Sequence, residues 1–280
     1  MNRRLRILSI GTLLALPAAP AAAHQFWLAP SGYRAGPGKP VEIRAFAGTG
    51  FRGESKPWDP PHCVRFVART ARTLDLTPAT TPGSFAWARF AASDGGGAML
   101  AFESGFTPIE LLAPKFDAYL EDEGLDGPLA ARRRAGAAAP GRERYRRAAK
   151  TWLGGQAVDR AVTPIGLPLE IVPLSMPGAQ EMLRVRVLWN GRPLAGALVK
   201  AWRTPLGAAG AAADAATRDS IGVAWQARTD SRGEVTAPVG QAGEWLLSVV
   251  HMLPCSERSE ADWESTWSSL TFERAGTVAP

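Results

Sequence analysis

The chain has 280 residues, 46% of them hydrophobic and 21% charged, a balance that excludes a wholly disordered protein and suffices for one large core or two ordinary ones. The formal charge of +6 falls to +3 once Arg3, Arg4 and Arg6 are set apart with an export leader, too small an excess to mark a nucleic-acid partner. Ten Trp, 23 Pro and 29 Gly point to a turn-rich, mainly β protein.

Residues 1–23 have the three-part layout of a secretory signal peptide: a basic start, an apolar run from Leu5 to Leu16, and the small residues Ala21-Ala22-Ala23. The run is shorter than the roughly 18 residues of a membrane span. No Cys follows the small residues, so no lipid anchor is expected, and the mature chain is expected in a bacterial periplasm. Cleavage after Ala23 makes His24 the first residue. Its α-amine and ring Nδ1 then form a chelate, which a second histidine would complete as a three-nitrogen histidine brace suited to Cu(II) or Ni(II). The plainer reading is that the cleavage site merely tolerates His after the cut.

The first region, 24–112, reads as a β-sandwich of short strands. Val41-Glu42-Ile43-Arg44-Ala45-Phe46 alternates apolar and polar residues, as do Val64–Val67 and Phe85–Phe90, and Asp94-Gly95-Gly96-Gly97 makes a turn before Ala98–Phe102. In the middle, 113–155, the period changes. Phe116, Tyr119 and Leu120 share a helical face, Gly124 is a stop, and Tyr145, Ala149 and Trp152 predict a second helix over 142–153. Arg132-Arg133-Arg134 and the stretch 135–141 together read as a mobile loop, with the arginine run a solvated face.

The last region, 166–274, returns to strands. Leu183, Val185 and Val187 alternate with polar residues, Asn190-Gly191 signals a hairpin turn, and the Ala/Gly-rich stretch 206–216 reads as a long loop. Trp245–His251 is an apolar, buried strand. No serine-hydrolase elbow, phosphate loop, zinc-protease helix or dinucleotide fingerprint appears, so a non-catalytic protein is expected.

Several phrases together resemble the NikM-like periplasmic family, of unknown function and associated with nickel and cobalt uptake. They are His24-Gln25-Phe26-Trp27, Pro108-Ile109-Glu110-Leu111, Lys115–Leu120, Arg142-Glu143-Arg144-Tyr145, Gly166–Pro173, Val250-His251-Met252 and Ala261–Ser265. The resemblance implies a non-catalytic protein that delivers or buffers nickel/cobalt or copper for a membrane metal transporter component. The chain departs from it at Gln25, where the family's opening has Asp. The turn Gly191-Arg192-Pro193-Leu194-Ala195-Gly196-Ala197 with Thr229-Asp230 also resembles prealbumin-like modules, so the fold implied is two Ig/prealbumin-like β-sandwiches with a short helical insert. An exported adhesion or adaptor module binding protein or glycan is the alternative.

The chain has three histidines, His24, His62 and His251. His24 and His251 lie inside the family-like phrases and are the expected metal pair, with Asp262 or Glu264 as an oxygen donor or as an acceptor for an imidazole N–H. The ordinary alternatives are a core histidine bonded to a carbonyl and loop carboxylates paired with arginine. Cys63 and Cys255 are the two cysteines. Export favours one disulfide between them, and a His62-Cys63-His251-Cys255 metal cluster is the competing arrangement.

Overall fold

The computed structural model describes residues 25–136, 138–207 and 222–276. The first half holds β1 (Gln25–Pro30), β2 (Val41–Thr49), β3 (Arg52–Lys56), β4 (Cys63–Arg69), β5 (Thr73–Asp75), β6 (Ala88–Phe90), β7 (Ala98–Ser104) and β8 (Thr107–Leu111). Helices α1 (Ala113–Asp122) and α2 (Asp126–Arg134) follow, then β9 (Gly141–Leu153), α3 (Val158–Val162) and β10 (Leu169–Pro173). The chain continues through β11 (Met182–Trp189), β12 (Arg192–Pro193), β13 (Leu198–Thr204), β14 (Trp225–Arg228), β15 (Glu234–Pro238), β16 (Gly243–Pro254) and β17 (Trp263–Arg274).

One nine-stranded sheet runs through both halves in the order β14-β13-β16-β17-β9-β7-β4-β5, with β8 also paired to β9. Its join is parallel, β17 on β9 from Trp263↔Glu143 to Thr271↔Thr151. Two four-stranded sheets cover opposite faces of it. The sheet of β1, β2, β3 and β6 buries Phe26, Leu28 and Ile43 against Phe66, Phe102, Ala149 and Leu153. The sheet of β10, β11, β12 and β15 buries Ile171, Val185 and Val187 against Trp152, Leu247, Leu270 and Phe272. Because side chains alternate along a strand, Leu153 and Trp152 of β9 serve the two different cores. Helices α1 and α2 lie on the first face, where Phe116, Leu120 and Leu129 meet Val250, Met252 and Trp267.

The fold is thus mainly β, with sandwich packing in each half and a short helical insert. The first core is aromatic: Trp87 meets Phe102 at 4.8 Å and Trp58 at 4.9 Å, both edge to face, worth about 0.5–1.5 kcal/mol per pair beyond burial. All six residues of β1 are buried, because Trp27 and Ala29 on its other side meet Trp202 and Leu246.

Three expectations are corrected. Residues 142–153 are strand β9, not a helix. Both faces of β9 are covered, so its apolar residues show no period of two, and Tyr145, Ala149 and Trp152 fall at helical spacing although Trp152 faces the opposite way from the other two. The arginine run is no loop: it closes α2, and Arg132 is buried, bonded to Asp117 at 2.7 Å with its guanidinium over Phe116. Cys63 and Cys255 are both free. Cys63 begins β4 and Cys255 follows β16, four strand spacings away, or roughly 19 Å, far beyond a disulfide's reach. The loop expected at 206–216 lies outside the described residues from 208 onward.

Candidate ligand-binding surface

The structure separates His62 from His251. His24 lies outside the described residues; Phe26, two positions on, packs beside Arg147 and Phe102, on the face of the shared sheet opposite His251. His62 ends a short turn (Pro60–His62) at the surface, its Nδ1 2.7 Å from Asp59 Oδ2. It sits beside β4, four strands from β16, so His62 and His251 do not share a site. No cluster of three or more His, Cys, Asp or Glu that could hold a metal occurs among the described residues.

Asp262 and Glu264 are engaged elsewhere. Asp262 accepts two bonds from Arg142, at 2.9 and 3.2 Å, which hold its carboxyl below the usual range. It lies four residues before Thr266, the cross-strand partner of His251, or roughly 13 Å along the strand. Glu264 accepts from Arg144 at 2.7 and 3.1 Å.

His251 lies on β16 opposite Thr266 of β17, which is paired in turn with Arg146 of β9. One row across three strands therefore reads His, Thr, Arg on a single face. This row lies just past the end of the covering sheet, whose last large side chain is Trp189. The hairpin turn that follows puts Asn190 and Gly191 at φ 48° and 76°, the left-handed pair of a type I′ turn, in which Asn and Gly are favoured. The chain therefore reverses at once and leaves the Trp189 ring overhanging the row. It meets the His251 ring edge on at 4.7 Å and lies 5.9 Å from the Arg146 guanidinium. Phe106 lies 4.9 Å from the same guanidinium.

The His251 ring makes no hydrogen bond among the described residues. Burial pushes its pKa down, so the imidazole is neutral at pH 7. It also lines a groove of about 490 Å³ with Leu125, Pro128, Leu194, Leu198 and Trp263. The groove follows the edge of β16 from Val250 to Pro254, where β13 no longer pairs with it.

Sequence reasoning reached His251 but missed Arg146, Trp189 and Phe106. The signal was in Arg144-Tyr145-Arg146, whose two arginines share a face once 142–153 is read as a strand.

Among known families, the model described as "Domain of unknown function (DUF4198)" matches residues 21–253. The chain belongs to the DUF4198 family. The matched part of this DUF4198 chain holds Arg146, Trp189 and His251 and stops before β17. No curated protein matches it. One solved structure, titled "D0-D1 domain of Intimin", is similar at 10% identity over 89% of this chain and 97% of that one, with a TM-score of 0.19. The β-sandwich character of the DUF4198 chain rests on its own sheets.

Proposed function

We propose that this chain is an exported, non-catalytic binding protein that captures a transition-metal ion, nickel/cobalt or copper, and hands it to a membrane transporter component. The observation that carries the reading is His251: a neutral, half-buried imidazole lining a groove, whose nitrogens are not bonded within the described residues. A core histidine would be satisfied, whereas a neutral ring with a free nitrogen is a metal ligand in waiting. The leader at 1–23 and the NikM-like phrases support export and metal uptake. His24 supplies further nitrogen donors once its amine is free, and the cargo's own chelating groups can supply the rest.

The test is calorimetric titration of the mature protein, its N-terminus confirmed by mass spectrometry, with Ni(II), Co(II), Cu(II) and Zn(II). A single site lost in His251→Ala is the expected result. A site that survives His251→Ala but disappears when Ala23 is retained would move the ligand set to His24. No binding by the processed protein would overturn the reading.

The groove along the unpaired half of β16 favours a second reading, an adaptor that binds protein or glycan there. Such an adaptor would keep its partner when Ala23 is retained, because its binding does not use the free amine.

A further inference from the structure

We propose that the Arg146 guanidinium, held between Trp189 and Phe106 beside His251, is the anchor of a binding site for a monocarboxylate with an apolar body.

The argument begins with the inventory of N–H groups. Arginine carries five donors in a rigid fork. In Arg146 the Nε–H donates to Thr266 Oγ1 at 3.0 Å, and the four Nη hydrogens bond nothing among the described residues. The neighbouring arginines are spent. Arg142 is bonded to Asp262 and to the Arg258 carbonyl, Arg144 to Glu264 and Glu260, and Arg65 to Glu103 and the Gly166 carbonyl. Arg146 has no carboxylate within ion-pair distance among the described residues. It is half-buried all the same, and burial pulls its pKa down. Glu103 and Glu264 act on it from beyond ion-pair distance, and each is bonded to another arginine; a half-buried cation with no carboxylate of its own is unfavourable for the fold alone, and an anion in the fork would relieve that cost.

The surroundings also select among anions. The two rings lie 4.9 and 5.9 Å from the guanidinium and the Thr266 bond ties its Nε–H, so the fork is oriented before any ligand arrives. One guanidinium balances one negative charge. A phosphate dianion would require a second free cation or a cradle of backbone N–H groups, and Arg144 is already paired with Glu264 and Glu260. Trp189 and Phe106 offer apolar surface to the body of the ligand, and the His251 ring can bond a polar substituent on it. None of this depends on a metal, so the site stands whether or not His251 takes one.

The test uses the full mature chain, freed of metal by a chelator, and follows Trp fluorescence and heat on titration with benzoate. Its neutral isostere benzamide and inorganic phosphate serve as comparisons. Saturable binding of benzoate is expected, with phosphate and benzamide at least 10-fold weaker. Arg146→Gln should weaken benzoate by 10-fold or more, and Arg146→Lys, which keeps the charge and loses the fork, by less. Near-UV circular dichroism checks that each variant is folded. Should Arg146→Gln fail to fold, the wild-type ligand ranking and the Arg146→Lys variant still decide. Absence of benzoate binding, phosphate bound as tightly, or benzoate affinity unchanged in either folded variant would overturn the proposal. Metal titration in a separate arm keeps failure here distinct from failure of the metal reading.

Discussion

Lys150 and Arg146 are two cations on the same face of β9, four residues apart, and they meet opposite fates. Lys150 lies under the covering sheet, completely buried, with Glu170 at 2.7 Å. Glu170 also accepts the N–H groups of Ile165, Gly166 and Leu167, so one carboxylate neutralises the lysine and pins the loop leading into β10. Arg146 lies just beyond that cover and has aromatic rings around it instead of a carboxylate. The difference teaches how to separate structural charge from available charge: the first is answered from within the chain, and the second is left for something to arrive.

The largest effect should come from breaking the answered charge. Glu170→Ala leaves Lys150 buried and unpaired, and it should cost about 3–5 kcal/mol, read as a lower midpoint in urea. The paired replacement Lys150→Met with Glu170→Leu should recover much of that loss.

A third charge on β9 gives the next effect, on the opposite face. Glu143 is fully buried beneath α1, accepting at Oε1 from Ser265 and Tyr119 while Oε2 has no partner. Burial pushes its pKa up to about 7 from 4.5. The folded state therefore holds this proton more tightly than the unfolded chain does. The associated stability is fully present below about pH 4.5 and is lost as pH rises through 7, about 3 kcal/mol in all. Glu123, which burial likewise pushes up to about 7, adds a decline of the same sign, so denaturation midpoints measured from pH 4.5 to 8 should fall, and Glu143→Gln should make that fall shallower without abolishing it.

The smallest effect sharpens the comparison most. Arg146→Gln should change stability by no more than about 0.5 kcal/mol, or raise it, since no intramolecular charge pair is lost. A large loss in its urea midpoint would make Arg146 a structural residue like Lys150.

These outcomes bear on what could be read before the fold was known. Val41–Ala45 and Leu183–Val187 were legible because one face of each is buried and the other is not. Helix α1 was legible from Phe116 and Leu120, both fully buried. Strand β9 was not, because a strand covered on both faces loses the period that betrays it. The site divides the same way. His251 could be placed at the end of a strand, but its company depends on where a hairpin from another sheet stops, and no local pattern records that. The cysteines make the same point, since their number suggested a pair while the strand order holds them apart.

The parallel ladder between β9 and β17 has a final consequence, for motion. Many two-part binding proteins take their ligand by hinging one lobe onto the other across a flexible linker. Here the two sandwiches have no seam to open, since a hinge would have to tear hydrogen bonds from the middle of the shared sheet. A ligand beside Trp189 would therefore meet a surface already formed, with no lobe closing over it.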